Sequence, residues 1–244
     1  MSGGPDAGAP TETGRLASAK ERVKHGAHAA LDPLVDLLVR LGVSPDHLTI
    51  AGLVLSILSG IAFFEGHART GALVLAVAGL CDILDGQVAR RLGSVSRFGA
   101  FLDSTLDRLS EAAVLLGILG FYLGNLLALV LQPERALMQI SHGLEPVTWA
   151  VMAMTTALAL VGSFMVSYTR ARAEGLGLEC RVGWFERPER IVLIIIMGFA
   201  GIGPVIPAGL LILVGLSFAT AFQRMAHVWK LTREAGPDST HTEA

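Results

Sequence analysis

Long stretches without any charged residue constrain the fold of this chain more than any other feature. A helix that crosses the apolar core of a bilayer needs about 20 mainly apolar residues. Only 16% of the residues are charged, against about 25% in a typical soluble domain. The pattern predicts a polytopic helical membrane protein and argues against a disordered chain, a basic nucleic-acid-binding protein or a small disulfide-stabilised domain. The uncharged stretches are 47–64, 70–81, 112–133, 146–169 and 191–223.

The last of these stretches is 33 residues long, which is too long for a single crossing. Pro204 and Pro207, with Gly201 and Gly203 beside them, predict a tight turn that divides it into two helices. The other four stretches each predict one helix. The sequence therefore predicts an all-α integral membrane fold with six transmembrane helices.

The chain ahead of the first span has a different pattern. In residues 16–41 a basic group is followed by apolar residues at helical spacing, which predicts an amphipathic juxtamembrane helix on an anionic membrane surface. A helix packed on its own protein would show the same pattern. We expect 42–231 to form one membrane domain, and 1–15 and 232–244 to be flexible tails.

The distribution of basic residues predicts the orientation in the membrane. Of the 19 Lys and Arg residues, only Arg69 and Arg135 fall in loops opposite the termini. Because cytoplasmic loops carry an excess of Lys and Arg, both termini and the loops near 90–97 and 170–190 are expected to be cytoplasmic. The formal net charge of −2 gives no reason to expect a nucleic-acid partner. We predict a multi-pass protein of the cytoplasmic membrane.

Four aspartates carry the strongest chemical signal. Asp82 and Asp85 are three residues apart, and Asp103 and Asp107 four apart, so each pair shares one face of a helix. Such a cluster near a membrane is costly unless a positive charge compensates it. Oxygen ligands without Cys or His suit a hard divalent cation, and two such ions about 4 Å apart suit phosphoryl transfer. Asp–Arg pairs that hold the helices together are the alternative interpretation.

The segment 82–107 contains these aspartates in a specific order. It matches the pattern D-x-x-D-G-x-x-A-R-(x8)-G-x-x-x-D-x-x-x-D at all eight fixed positions. This pattern resembles the signature of the CDP-alcohol phosphotransferase family. The resemblance implies six transmembrane helices preceded by an amphipathic juxtamembrane helix, usually in a homodimer, with the active site on the cytoplasmic side.

The resemblance also implies a role for each matched residue. Asp82, Asp85 and Asp103 would ligate divalent ions, Mg²⁺ or Mn²⁺, with two ions expected. Asp107 would complete the metal site and act as general base on the acceptor hydroxyl. The residues expected to bind CDP-diacylglycerol are Asp46, Thr49, Gly86, Ala89, Arg90 and Ser96. Capping of a helix by residues 44–46 is an alternative reason for part of this set.

Arginine-rich stretches outside the signature bear on the acceptor. Residues 167–177, 186–190 and 223–224 resemble those of phosphatidylinositol phosphate synthases within the family. The resemblance implies that the phosphate of inositol 1-phosphate is bound by Arg170, Arg190 and Arg224. Guanidinium groups suit this task because they bind phosphate in a bidentate manner. Anchoring to lipid headgroups is the alternative interpretation of the same arginines.

These expectations define a function and its rivals. We expect a Mg-dependent enzyme that transfers a phosphatidyl group from CDP-diacylglycerol to inositol 1-phosphate, giving phosphatidylinositol phosphate and CMP. Glycerol 3-phosphate or another phospho-alcohol is the alternative acceptor. An intramembrane prenyltransferase fits less well, because its bundle usually needs more than six helices. A cation transporter would require acidic residues distributed across the membrane, whereas these aspartates lie at one level.

Overall fold

Helices account for all the regular structure in the described part of the chain. The computed structural model describes residues 31–131, 133–141, 146–201 and 205–234. The predicted N-terminal tail, the first half of the predicted juxtamembrane helix and most of the C-terminal tail lie outside the described residues.

Eight helices occupy the described ranges. They are α1 (31–40), α2 (Pro45–Phe64), α3 (Ala68–Leu92), α4 (Arg97–Leu131), α5 (Pro133–Ser141), α6 (Pro146–Glu174), α7 (Arg187–Ala200) and α8 (Val205–Glu234).

The helix ends around the aspartate segment follow from local sequence. Ser44 is the N-cap of α2, and its hydroxyl accepts a hydrogen bond from the amide of His47, with Pro45 at the first turn. The capping predicted for residues 44–46 is thus confirmed, as these residue types favour a helix start. Gly93 ends α3 in the left-handed conformation, with φ of 62°, which a residue without a Cβ adopts at little cost. The aspartate segment therefore lies across the α3–α4 turn.

Five helices among the described residues are long and apolar enough to cross a membrane: α2, α3, α4, α6 and α8. The predicted division of the last uncharged stretch is confirmed, because α7 ends at Ala200 and α8 begins at Val205. However, α7 has only 14 residues, about 21 Å at 1.5 Å per residue. It is thus shorter than a crossing of about 20 residues, and its apolar part is shorter still because the polar residues 187–190 form its first turn. The protein is an all-helical, multi-pass membrane protein.

The connection at 132–145 differs from a plain loop. Nine of its residues form α5, which begins at Pro133 and has Glu134 in its first turn. Proline is well tolerated at the first helical position and an acidic residue there favours the helix dipole. The short helix α5 contacts α4, the helix that precedes it.

Small residues allow the spanning helices to approach closely. Gly60 of α2 faces Gly117 of α4, and a Cβ atom added to either glycine would overlap the backbone of the other helix. Lipid tails are as apolar as leucine, so close backbone packing replaces the hydrophobic effect as the force between such helices. α2 packs against α3 and α4, α6 against α4 and α8, and α7 against α3 and α8.

Helix α1 packs on the bundle through one face. Val35 is buried in a cluster with Leu48, Leu84 and Val88, whereas Leu37 on the same helix is exposed. Ion pairs also link α1 to α3. The described part of the predicted juxtamembrane helix is therefore helical and amphipathic, and its inner face contacts the ends of α2 and α3 next to the aspartates.

Candidate active site

The carboxylates of three aspartates converge where α3 and α4 face each other. Asp82, Asp85 and Asp103 each offer an oxygen, and these oxygens all lie within 4.8 Å of one another. A divalent cation bound at 2.0 to 2.6 Å from its ligands, the range for Mg²⁺ and Ca²⁺, fits between oxygens at this separation. The donor set is all oxygen, as such an ion requires. The predicted convergence of the two helix faces is confirmed for these three residues.

Asp107 lies outside this trio but shares a partner with Asp82. Its Oδ1 lies 2.7 Å from Nη1 of Arg187, and the same nitrogen donates to Oδ2 of Asp82 at 2.7 Å. Nη1 of Arg108 lies 3.8 Å from the other oxygen of Asp107. Asp107 therefore lies beside the trio and is joined to it by a guanidinium group from α7.

A hydroxyl group orients the most buried member of the trio. Thr49 of α2 donates to Oδ2 of Asp85 at 2.7 Å. Its Oγ1 also lies 3.1 Å from the carbonyl of Pro45, one turn earlier in the helix. Asp85 is buried, and a donor to a carboxylate holds the remaining oxygen lone pairs toward the neighbouring aspartates. Thr49 thus reaches the trio directly.

A cavity of about 540 Å³ opens beside the trio. Its volume is within the range of small-molecule sites, about 300 to 1,000 Å³. Asp85 and Asp103 form part of its wall. All six residues predicted to bind the nucleotide lipid line this one cavity: Asp46, Thr49, Gly86, Ala89, Arg90 and Ser96.

Two of these residues, Ser96 and Gly86, have specific contacts within their own segments. The hydroxyl of Ser96 accepts from the amide of Gly99 at 2.9 Å, so it satisfies a free amide at the start of α4. A Cβ atom on Gly86 would lie 3.5 Å from Nη1 of Arg90. Gly86 and the guanidinium group of Arg90 are therefore neighbours on the cavity wall.

Two of the predicted acceptor arginines meet on a single carboxylate. Nη2 of Arg224 donates to Oε1 of Glu186 at 2.8 Å, and Nη1 of Arg170 lies 3.6 Å from the same oxygen. Arg224 also donates to the carbonyls of Val166 and Val182. Arg170 pairs in addition with a glutamate of its own helix. The structure thus brings Arg170 and Arg224 together at the start of α7, as the sequence predicts.

Arg190 has a different environment from the other two arginines. Its Nε and Nη2 donate to the two oxygens of Glu111 at 2.5 and 2.8 Å, and the side chains of Arg190 and Glu111 are 1% and 4% exposed. A bidentate pair with this burial leaves little of the guanidinium group for another anion. Contact between Arg190 and an acceptor phosphate stays a prediction, and it would require this pair to open.

Sequence reasoning missed three of these groups. Arg187, Glu186 and Glu111 were not assigned partners, although Glu111 continues the spacing of Asp103 and Asp107 at a further four residues. That spacing was a usable signal, because residues at i, i+4 and i+8 lie along one face of a helix. The partners of Glu186 and Arg187 had no local signal, since they come from α3, α4, α6 and α8.

The arrangement provides two sites of opposite charge that are next to each other. Carboxylates on α3 and α4 can hold a cation against a diphosphate in the adjoining cavity. Arginines at the ends of α6 and α8 can hold an anion on the other side. Transfer of a phosphoryl-type group between two anionic substrates needs both kinds of site.

Comparison with known proteins gives consistent relatives. The model of the CDP-alcohol phosphatidyltransferase family matches residues 42–223. Archaetidylinositol phosphate synthase of Methanothermobacter thermautotrophicus is 38% identical over 203 residues, which cover 82% of this chain and 89% of that protein. Phosphatidylinositol phosphate synthase of Mycobacterium tuberculosis is 34% identical over 206 residues, covering 81% of this chain and 84% of that protein.

Solved structures give the same result. A crystal structure of the Mycobacterium tuberculosis phosphatidylinositol phosphate synthase with CDP-DAG bound has a TM-score of 0.65 and 32% identity, covering 81% of this chain and 92% of that one. A second crystal structure, in complex with manganese and citrate, has a TM-score of 0.66 and covers 81% and 88%. The matched segment contains the aspartate trio and its cavity, and the chain belongs to the CDP-alcohol phosphatidyltransferase family of transferase enzymes.

Proposed function

We propose that this protein transfers a phosphatidyl group from CDP-diacylglycerol to inositol 1-phosphate, releasing CMP and forming phosphatidylinositol phosphate. One observation carries the proposal. A carboxylate trio forms the edge of a cavity lined by all six expected nucleotide residues, and two arginines that share one carboxylate lie at the neighbouring end of α7. The relatives that are named as phosphatidylinositol or archaetidylinositol phosphate synthases support this acceptor.

The trio is proposed to hold divalent cations, Mg²⁺ or Mn²⁺, with two ions expected. Asp82, Asp85 and Asp103 would supply the oxygen ligands, and Asp107 would join them once Arg187 releases it. Such ions neutralise the charge of a diphosphate and make its phosphorus a better electrophile. The family resemblance and the neighbouring structure with manganese support a divalent ion.

The chain's own groups would perform the remaining tasks. Arg90 and the small residues Gly86 and Ala89 would hold the cytidine diphosphate part of the donor in the cavity, with Asp46, Thr49 and Ser96 around it. Asp107 would accept the proton of the acceptor hydroxyl as its oxygen attacks the lipid-side phosphorus. The bond from that phosphorus to CMP then breaks, and CMP leaves.

The acceptor phosphate is proposed to bind at Arg170 and Arg224. Both guanidinium groups already lie on one anionic oxygen, that of Glu186, so an anionic group can be held there. Arg190 would contribute only after releasing Glu111. A neutral alcohol such as free inositol has no anionic group to take the place of Glu186 on these cations, and charge-assisted bidentate contacts favour a phosphorylated acceptor.

We propose that α7 is the sixth crossing, with both termini and the active site on the cytoplasmic side. Arg187 at the start of α7 reaches Asp82, and Gly198 near its end lies against Ala68 and Ala72 at the start of α3. The 14 residues of α7 thus follow α3 from its first turn to the aspartates. A homodimer in the cytoplasmic membrane is proposed from the family resemblance alone.

A panel of acceptors tests the proposed function. Purified protein with CDP-diacylglycerol and Mg²⁺ is given inositol 1-phosphate, glycerol 3-phosphate or free inositol, and CMP release is measured. We expect turnover with inositol 1-phosphate, a kcat/KM at least about 100-fold lower with free inositol because it lacks the phosphate that the two arginines would hold, and no CMP release with EDTA. Faster turnover with glycerol 3-phosphate would overturn the acceptor assignment and leave the reaction class intact.

A further inference from the structure

Two adjacent residues at the start of α7 have their charged groups in two different clusters. Glu186 is the N-cap of this helix and Arg187 is the first helical residue. The carboxylate of Glu186 lies among arginines, and the guanidinium group of Arg187 lies among aspartates. Each charge therefore sits where a charged substrate or ion of the same sign would bind.

The contacts of Arg187 resemble those of a bound cation. One nitrogen, Nη1, lies 2.7 Å from Asp82 and 2.7 Å from Asp107, so it bridges two carboxylates from different helices as a metal ion would. Its Nε is buried and has no hydrogen-bond partner among the described residues. A cavity of about 20 Å³ borders Arg187, Asp82 and Asp107, which is room for about one water molecule. The pairing is thus incomplete and has space around it.

The contacts of Glu186 resemble those of a bound phosphate. Its Oε1 accepts from Arg224 at 2.8 Å and lies 3.6 Å from Arg170. An N-cap side chain ordinarily accepts from an amide of its own helix, but Glu186 makes no such bond. Its side chain is 43% exposed whereas that of Arg224 is 2% exposed, so another anion would reach Arg224 by taking the place of the Glu186 carboxylate. The carboxylate is directed to the arginines and not to the helix that it precedes.

We propose that Glu186 and Arg187 are built-in counter-ions. In the enzyme without ligands, Arg187 takes the carboxylate oxygens of Asp82 and Asp107, and Glu186 takes the guanidinium groups of Arg170 and Arg224. Binding of a divalent cation displaces Arg187 from its carboxylates, and binding of the acceptor phosphate displaces Glu186 from its arginines. The part that concerns Glu186 rests on the proposed function, whereas the part that concerns Arg187 rests on the carboxylates alone.

Such counter-ions would keep clusters of like charge assembled before a ligand binds. Four carboxylates without a cation would repel one another, and arginines without an anion would do the same. The counter-ions relieve both costs and then compete with the ligands. Removal of a counter-ion should therefore tighten the binding of the ligand that replaces it, which is the opposite of what loss of a ligand-binding residue does.

Mn²⁺ binding without nucleotide or acceptor tests Arg187. Free Mn²⁺ is measured by electron paramagnetic resonance during titration of the full-length protein in detergent. We expect Arg187→Gln to lower the Kd for Mn²⁺ by about ten-fold, because a positive charge within 4 Å of two ligands is removed. Arg187→Lys keeps a charge on a less suitable group and should lower the Kd by about three-fold.

The control for Arg187 is Arg91→Gln, because Arg91 also bridges two aspartates, Asp32 and Asp36, but at the exposed contact between α1 and α3. Its Kd for Mn²⁺ should equal that of the unaltered protein. A Kd that is unchanged or raised in both Arg187 variants would overturn this part of the proposal. Should Arg187→Gln fail to fold without metal, Arg187→Lys alone decides the outcome.

Inorganic phosphate tests Glu186 in the same way. We expect Glu186→Gln to lower the Kd for phosphate, measured by calorimetry, by about five-fold, since the competing carboxylate is lost while both arginines remain. Glu179→Gln is the control, because Glu179 forms an exposed pair with Arg181 in the same connection. An unchanged or raised Kd in Glu186→Gln would overturn this part. Neither titration contains inositol 1-phosphate, so failure of the acceptor panel and failure of these tests are distinguishable.

Discussion

Two arginines of α7, one turn apart, form ion pairs with two carboxylates of α4 that are also one turn apart. Arg187 pairs with Asp107, and Arg190 pairs with Glu111. The first pair is partly exposed, with side-chain exposures of 22% and 16%. It also shares a single nitrogen with Asp82. The second pair is buried and bidentate. The same two helices thus carry the same pairing in two forms.

The difference shows that one ion pair between two helices can be permanent while the next pair, one turn away, can be replaced by a ligand. A buried bidentate pair has its hydrogen-bonding capacity filled, and removal of one partner leaves an unpaired buried charge. A guanidinium group that bridges two carboxylates through one nitrogen, beside a cavity, can be replaced by another cation. We therefore interpret Glu111 and Arg190 as the structural link between α4 and α7, and Asp107 and Arg187 as the part that takes part in the reaction.

The largest expected effect comes from the exchangeable pair. Asp107→Asn keeps the shape of the side chain but removes the proposed base and one anionic ligand. We expect kcat, measured as CMP release, to fall by about 10³-fold, while the protein remains folded and binds CDP-diacylglycerol. Asp32→Asn, at an exposed aspartate paired with Arg91, should leave kcat unchanged. Activity of Asp107→Asn within ten-fold of the unaltered protein would remove Asp107 from the proposed chemistry.

A substitution in the buried pair should lower the stability of the protein more than it lowers turnover. Glu111→Gln leaves Arg190 charged, buried and without its anion, which we expect to cost about 3 kcal/mol of unfolding free energy. The measurement is the unfolding midpoint in detergent, with Glu179→Gln as a control from an exposed pair. A stability close to that of the unaltered protein would mean that the pair is not the structural link that we infer.

A double variant separates a structural link from a phosphate ligand. Replacement of both residues, Glu111→Leu together with Arg190→Met, removes both buried charges and should restore most of the stability that Glu111→Gln loses. If Arg190 is only structural, the KM for inositol 1-phosphate will stay within about two-fold, as expected for a residue without contact to the acceptor. A large rise in KM with stability restored would instead favour the sequence-based prediction that Arg190 binds the acceptor phosphate.

The sequence predicted which residues share a helix face better than it predicted the side chains that they contact. Helical spacing was enough to bring Asp82, Asp85 and Asp103 together, because the α3–α4 turn leaves the two helices few alternatives. It also predicted the break between α7 and α8. The partners of Glu111 and Arg187 could not be predicted, since they are 79 and 105 residues away. Periodicity defines the face of a helix, but side-chain partners depend on the packing of helices that are distant in sequence.

The length of α7 shows a second limit of sequence reasoning. An uncharged run predicts where a helix can lie in lipid, but it does not predict where the helix begins. Polar residues from Arg187 to Arg190 belong to the first turn of α7, and both arginines of this turn pair with carboxylates of α3 and α4 inside the protein. Hydropathy treats these charges as exposed to lipid or water, so the uncharged run begins at Ile191, one turn after the helix itself begins.

The smallest expected effect concerns a neutral donor in the carboxylate trio and sharpens the comparison further. Thr49→Val removes the hydroxyl that donates to Asp85 at 2.7 Å while it keeps the shape of the side chain. Because Asp85 then loses an orienting hydrogen bond, we expect the Kd for Mn²⁺ to rise by about ten-fold. Thr105→Val is the control, since the hydroxyl of Thr105 donates to a backbone carbonyl on an exposed face.

An unchanged Kd for Mn²⁺ with a raised KM for CDP-diacylglycerol would assign Thr49 to the donor alone. The expected result would instead mean that the reactive level of the bundle depends on a neutral hydrogen bond to a carboxylate as well as on exchangeable charge, whereas both oxygens of Glu111 at the buried level are held by the charged Arg190.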